Sequence, residues 1–70
     1  MMPLGLLGIG ESGEIVAGEP QAASRAEDLG LRAGRRVVML ANAGGPVLVK
    51  VDESRIAVDR GVAMRIRVRT

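Results

Sequence analysis

The sequence predicts one mainly β domain, a small closed barrel of five short strands, over residues 1–70. Two observations predict it. Short aliphatic stretches recur at spacings of roughly ten residues, and clusters of Gly, Pro, Asn and Asp separate them. The last stretch, residues 65–69, alternates charged and aliphatic side chains, which is the two-residue period of a half-buried strand.

The core of this domain has to form from aliphatic packing. The chain has 70 residues and contains no Cys, His or aromatic residue, so disulfides and His or Cys metal sites cannot stabilise the fold. A domain of this size buries only about 60% of the surface that its unfolded chain exposes. We therefore expect a core of Val, Leu, Ile, Met and Ala, and a modest free energy of unfolding.

Five strands and two helical segments are predicted along the chain. They are, in order, a lead-in at 3–9, a turn at 10–13, a strand at 14–17, a helix at 21–28, a strand at 36–40, a turn at 42–46, a strand at 47–51, a turn at 52–55, a strand at 56–58, a helical turn at 59–64 and a strand at 65–69. Gly18 to Pro20 end the first strand, because proline cannot donate to a ladder. Ala, Glu and Arg favour the helix, and residues 36–51 are typical of a hairpin.

Two glycines four residues apart, Gly30 and Gly34, separate the helix from the second strand. Gly30 stands where a helix commonly ends in a residue of positive φ. Leu29 and Leu31 flank it and have two interpretations. Either they present an apolar surface beside the helix, or both fill the open end of the barrel.

The charge pattern is weakly basic. The chain contains nine arginines, one lysine and eight acidic residues, which gives a net charge of +2. The arginines cluster in two groups, Arg32, Arg35 and Arg36, and Arg65, Arg67 and Arg69. Single-strand binders usually stack bases on aromatic residues, which this chain lacks. We interpret the clusters as a solvated basic face and expect no nucleic-acid binding.

No group of residues in the sequence forms a recognisable catalytic site. A nucleophile needs an activating base, and without Cys or His the only candidates are serines beside acids or Lys50. These serines lie in turns or near a helix start, where capping explains them; they are Ser12, Ser24 and Ser54. Paired carboxylates such as Glu11 with Glu14 are interpreted as solvated surface acids. Asp52 and Glu53 alone are a weak ligand set for a hard cation. We predict that the protein is not an enzyme and holds no cofactor or tightly bound transition metal.

The first residues do not predict export. The segment MMPLGLLGIG has no basic residue before its apolar run, and Glu11 follows it directly. A secretory signal needs a basic start, and a spanning helix needs about 20 apolar residues. The expected location is the cytoplasm.

Arg25-x-x-Asp28-Leu29-Gly30-Leu31-x-x-Gly34 resembles the signature of the FeoA family, small cytoplasmic proteins of bacterial ferrous iron transport. Other segments are similar to the family's opening, central hairpin and final strands; they are 3–16, 44–51, 56–58 and 63–68. Ala26 and Ala33 stand where the family usually has Leu and Pro. These departures predict a smaller helix face and a looser turn into the next strand.

The resemblance implies an SH3-like barrel of five strands, with a short helix between the first two and a helical turn before the last. It also implies an accessory that binds the cytosolic GTPase domain of FeoB, a membrane iron permease, modulates transport, and reaches the membrane only through that partner. The expected partner-binding residues are Arg25, Asp28, Leu29, Gly30, Leu31 and Gly34. A bare strand edge would also suit a partner peptide or self-association into a homo-oligomer.

Two other functions stay open at this point. The same barrel resembles the C-terminal domain of iron-dependent repressors, which suggests a metal-responsive regulatory module, although the chain lacks DNA-binding helices. The alternative is a nucleic-acid-binding barrel that uses the arginines at 65, 67 and 69. Its affinity would fall with salt at a log–log slope of about −0.9 per neutralised phosphate.

Overall fold

Six strands, two short helices and one 3₁₀ turn make up the computed structural model, which describes residues 1–16 and 19–70. In chain order they are β1 (Met2–Pro3), the 3₁₀ turn (Leu4–Leu6), β2 (Ser12–Val16), α1 (Pro20–Asp28), β3 (Arg36–Ala41), β4 (Val47–Val51), β5 (Ser54–Val58), α2 (Arg60–Ala63) and β6 (Arg67–Arg69). This confirms the mainly β class. Within the described ranges, no helix is both long and apolar enough to cross a membrane.

The strands form one antiparallel sheet in the order β1-β6-β2-β3-β4-β5. The edge strands of this order are β1 and β5. A two-residue turn, Asp52-Glu53, joins β4 to β5, and Asp52 has a φ of 55°. Aspartate tolerates the left-handed region better than most residues, so the chain can reverse at this point without a glycine.

The structure has one strand more than the five predicted. Met2 lies opposite Val68 and Pro3 opposite Arg67, and the Leu4 N–H donates to the Ile66 carbonyl at 2.7 Å. A two-residue strand is too short to show a periodic pattern, and only its pairing with β6 defines it. The predicted lead-in therefore begins as a strand.

Other boundaries differ by a few residues. β5 begins at Ser54 rather than Ile56, because the Asp52-Glu53 turn closes in two residues. β6 begins at Arg67 rather than Arg65, because the N–H groups of Arg65 and Ile66 donate back to α2. The predicted end of the first strand at Ala17 and its stop at Gly18 lie outside the described residues.

The core is wholly aliphatic. Its buried members are Leu4, Leu7, Ile15, Ala26, Leu31, Val37, Met39, Val47, Val49, Val51, Val58, Ala63, Ile66 and Val68. Alternation along β6 buries Val68 and exposes Arg67 and Arg69, as the sequence predicts. Ala26, at the position where the family that the sequence resembles usually has Leu, is buried in this core.

Asn42 and Arg60 connect three segments at the far end of β3, and we call this pair the Asn42–Arg60 clamp. The Asn42 side-chain amide donates to the carbonyls of Gly5 at 2.9 Å and Leu7 at 3.0 Å. Arg60 donates to the Asn42 side-chain oxygen and to the carbonyls of Gly44 and Gly45. The clamp therefore holds the 3₁₀ turn, the β3–β4 loop and α2 together.

Candidate functional site

The end of α1 is a Schellman motif, which explains the order Leu-Gly-Leu. Leu29 is the C-cap residue of α1, and Gly30 follows with a φ of 94°. The Gly30 N–H donates to the Glu27 carbonyl at 3.0 Å, and the Leu31 N–H donates to the Ala26 carbonyl at 2.7 Å. These two bonds satisfy carbonyls that a helix end leaves without partners.

The two leucines of the motif, Leu29 and Leu31, lie in different environments. Leu31 is 1% exposed and belongs to the core, next to Ala26. Leu29 is 38% exposed on the surface. The interpretation that the leucines fill the interior is therefore right for Leu31 only. The interpretation that they present an apolar surface beside the helix is right for Leu29 only.

A second turn follows and fixes the start of β3. The Arg35 N–H donates to the Arg32 carbonyl at 3.1 Å, and Gly34, the third residue of this turn, has a φ of 92°. That arrangement matches a type II turn, in which the third residue needs positive φ. Ile15 anchors the turn to β2, because it accepts from Gly34 at 2.7 Å and donates to Arg35 at 2.8 Å. We call residues 29–35, with both turns, the hinge.

A cleft lies on each side of the hinge. The smaller, about 150 Å³, runs between α1 and β2 and is mainly apolar; it is lined by Ile15, Val16, Ala23, Ala26, Glu27, Leu31, Ala33 and Ile66. The larger, about 340 Å³, separates the hinge from β5, and we call it the edge cleft. Its lining residues are Leu29, Gly30, Arg32, Arg35, Val51, Asp52, Ser54 and Ile56.

The edge cleft combines an apolar floor with a charged rim. A β-carbon built on Gly30 would lie 3.8 Å from the Ile56 Cδ1, so the hinge backbone runs close to the side chains of β5. On the rim, the Arg35 Nη1 and the Asp52 Oδ2 are 3.0 Å apart, and both side chains are more than half exposed. Such exposed ion pairs contribute about 0–1 kcal/mol to stability.

The structure brings some of the six expected partner-binding residues together and separates others. Leu29 and Gly30 line the edge cleft, while Leu31 lines the smaller cleft from the core side. Arg25 and Asp28 are exposed on α1, and neither is among the residues that line the two clefts. Gly34 lies in the second turn of the hinge.

Sequence reasoning missed the residues that β5 contributes to this surface. Ser54 and Ile56 are more than 20 positions from Leu29 along the chain, and they reach it only through the sheet order that makes β5 an edge strand. The sequence signals that point toward this surface are the cluster of Arg32 and Arg35, interpreted above as a solvated basic face, and the expected bare strand edge, which no residue pattern assigned to β5.

The polar groups of the site do not form a metal-binding set. In residues 1–16 and 19–70, no three His, Cys, Asp or Glu side chains are grouped so that they could hold a metal ion. An acid lies between the two arginine clusters, because Glu14 on β2 is opposite both Arg36 on β3 and Arg69 on β6. We take the edge cleft as the candidate contact site, because apolar and hydrogen-bonding groups line it together.

Comparison with protein families gives one match over almost the whole chain. The model of the FeoA domain matches residues 2–70. No curated protein matches the sequence.

Solved structures of FeoA proteins have the same fold. An iron uptake regulatory protein, FeoA, is 31% identical, with a TM-score of 0.86 over 97% of this chain and 95% of that chain. FeoA from Stenotrophomonas maltophilia, solved with zinc and described as an SH3 domain protein, is 28% identical, with a TM-score of 0.83 over 99% of this chain and 91% of that one. A manganese-dependent transcriptional repressor, at 21% identity and a TM-score of 0.82, shares the fold over 94% of this chain and 39% of its own.

Proposed function

This chain belongs to the FeoA family, and on that premise we propose that it binds the cytosolic part of the FeoB iron permease and modulates ferrous iron uptake. FeoA proteins are small SH3-like accessory proteins of ferrous iron transport. The observation that carries the proposal is the family match over residues 2–70, together with structural similarity over nearly the same length. We place its action in the cytoplasm, where it reaches the membrane only through the permease.

The hinge and the adjoining last turn of α1 form the proposed contact surface. Leu29 is one of the large hydrophobic residues that the fold leaves exposed, and it lies next to a cleft that a partner could enter. Apolar side chains beside charged rims are common where proteins bind one another. In this proposal Arg25, Asp28 and Leu29 contact the partner, whereas Gly30, Leu31 and Gly34 hold the surface in shape.

A binding titration tests the proposal. The folded chain is titrated with the cytosolic domain of FeoB from the same organism, with and without guanine nucleotide. We expect saturable binding, and Leu29→Glu should weaken it, because a charged side chain cannot be buried in an apolar contact without a large penalty. No binding in any nucleotide state would contradict the proposal and leave only a shared fold.

Ile9→Glu is the matched control for that variant. Ile9 is 70% exposed. It lies away from the hinge, because the N–H of the neighbouring Gly10 donates to the Met39 carbonyl, toward the other end of β3. Both variants replace an exposed aliphatic residue by glutamate, so a general effect of charge would weaken binding equally in both. An effect confined to Leu29→Glu would assign the contact to the hinge. Unfolding curves check that both variants keep the fold.

The repressor-type alternative has support from the fold alone, because the similar repressor is only 21% identical. The nucleic-acid alternative has a clear test in the same preparation, since binding through phosphates would weaken steeply with salt. We expect no retention on DNA or RNA at physiological ionic strength.

A further inference from the structure

The outer edge of β5 has free backbone hydrogen-bonding groups. The pairs across β4 and β5 run from Val51 with Ser54 to Val47 with Val58. The pair that flanks a two-residue turn exchanges hydrogen bonds, and bonded and non-bonded pairs then alternate. Ser54, Ile56 and Val58 therefore bond to β4, while the N–H and C=O groups of Arg55 and Ala57 point away from the sheet.

No backbone hydrogen bond within residues 1–16 and 19–70 occupies that edge. Neither Arg55 nor Ala57 takes part in a backbone hydrogen bond outside the β4–β5 ladder within residues 1–16 and 19–70. Both residues are exposed, and the strand ends the sheet order. Edge strands with free groups of this kind pair readily with another extended chain.

Side chains of a strand added to β5 would alternate between two different environments, one on each face of the sheet. Ile56, half-buried, faces the edge cleft together with Leu29 and Gly30. A residue opposite Ile56 would point into this apolar floor. Residues opposite Arg55 and Ala57 would point to the outer face instead, because side chains alternate along a strand.

The outer face is positively charged at this point. Lys50 lies directly opposite Arg55, and both are exposed. Like charges in directly opposed positions are destabilising, and an acidic side chain next to them would offset the repulsion. Arg32 adds a further cation on the rim of the edge cleft, where Asp52 is paired with Arg35.

We infer, building on the function proposed above, that the β5 edge and the edge cleft bind an extended acidic segment of a partner protein as an additional antiparallel strand. The segment alternates acidic residues, which lie beside Arg55 with Lys50 one strand further in, with apolar residues that enter the cleft between Ile56 and Leu29. Two copies of this chain suit each other less well, because pairing by their β5 edges would bring two Arg55 side chains near each other.

The first experiment uses a probe peptide with the intact chain. A short capped peptide that alternates glutamate with valine is titrated into isotope-labelled protein, and amide hydrogen exchange is measured by NMR. Added pairing should slow the exchange of the Arg55 and Ala57 amides at least about tenfold, because these donors become bonded. Chemical shift changes without protection at these two amides would contradict strand addition and indicate charge attraction alone.

Two control peptides separate backbone pairing from charge. A peptide that alternates lysine with valine should bind at least about tenfold more weakly, because it places cations beside Arg55 and Lys50. A glutamate–valine peptide with N-methylated amides on the pairing edge keeps the charge but loses the donors. If it binds as tightly as the parent peptide, the inference is wrong.

Variants of the protein test the same edge without a change in the peptide. Arg55→Glu should weaken the glutamate peptide and strengthen the lysine peptide, whereas Arg67→Glu, an equal charge change on β6, should leave the preference unchanged. Ala57→Pro removes the outward N–H without touching the bonds to β4, because proline is tolerated on a strand edge. It should weaken binding at least about tenfold in a chain whose thermal unfolding remains cooperative.

The same variants are then titrated with the FeoB cytosolic domain. Weaker binding by Arg55→Glu and Ala57→Pro, but not by Arg67→Glu, supports the β5 edge as the contact. Unchanged binding overturns that assignment while the proposed function stands. If the domain does not bind at all, the proposed function fails, and the peptide results alone decide the inference. Protection of Arg55 and Ala57 that rises with protein concentration in the absence of peptide would assign the edge to a second copy.

Discussion

The two ends of β3 are both flanked by glycines, but different forces hold them. At the first end, the hinge is closed by backbone bonds between residues three to five apart, such as Leu31 to Ala26. At the other end, the Asn42 side chain bonds to carbonyls more than 30 positions away along the chain, those of Gly5 and Leu7. The two turns of the hinge close through local bonds, and Ile15 of β2 anchors the second turn, whereas the clamp consists of bonds that exist only in the folded chain.

The two regions also differ in what they leave exposed. In the clamp, the side chains of Asn42 and Arg60 bond to each other and to backbone carbonyls of neighbouring segments. These groups are therefore already bonded within the fold. The hinge satisfies its backbone and still leaves Leu29 at the surface beside an open cleft. A region ordered by its own backbone can present side chains to a partner, and this difference explains why we assign binding to the hinge and stability to the clamp.

The largest expected effect separates the two leucines of the hinge. Leu31→Ala should lower the free energy of unfolding by about 2–5 kcal/mol, because it opens a cavity in the core. Leu29→Ala is the control and should change it by less than about 1 kcal/mol, since that side chain is partly exposed. Urea denaturation measures both. Equal losses would show that Leu29 is also part of the core and would remove it from the proposed contact surface.

The clamp should come next in the size of its effect. Asn42→Ala leaves the carbonyls of Gly5 and Leu7 without their donor, which should cost about 1–3 kcal/mol. Asn42→Asp keeps an acceptor for Arg60 but loses the two N–H groups that donate to Gly5 and Leu7. It therefore shows which of these bonds account for the loss of stability. If the aspartate variant unfolds at the same urea concentration as the parent, the contact with Arg60 is the important one and the donated bonds contribute little.

Gly30→Val tests the hinge through backbone strain alone. The nearest atom to an added β-carbon is the Ile56 Cδ1 at 3.8 Å, so space is available, but a φ of 94° is unfavourable for a β-branched residue. We expect a loss of about 1–2 kcal/mol. Gly45→Val, at a glycine without positive φ and with open space around it, should cost less. An unchanged melting temperature for Gly30→Val would contradict the strained geometry.

The smallest expected effect is a gain in stability. Ala33 is the second residue of the type II turn of the hinge, a position that proline favours, and it is exposed. Ala33→Pro should raise the free energy of unfolding by about 0.4–1 kcal/mol, because it restricts the unfolded chain. Ala33→Gly should change it in the opposite direction. A loss with proline would show that Arg32 cannot adopt the extended backbone that a following proline requires.

The sequence alone determined the features that depend on local bonds and short periods. The mainly β class, the alternation of β6, the helix before Leu29 and the stop at Gly30 could all be predicted, because each follows from the spacing and conformational preference of neighbouring residues. The family resemblance came from the same local signature, and the match over residues 2–70 confirms it.

Only the tertiary structure decided which residues meet across the sheet. β1 exists because β6 pairs with it, the clamp because three distant segments converge on Asn42, and the edge cleft because β5 lies beside Gly30. The different environments of Leu29 and Leu31 are likewise a result of packing, since two leucines on either side of one glycine look equally apolar in the sequence. Such contacts join residues far apart along the chain, and no local preference encodes which pairs will form.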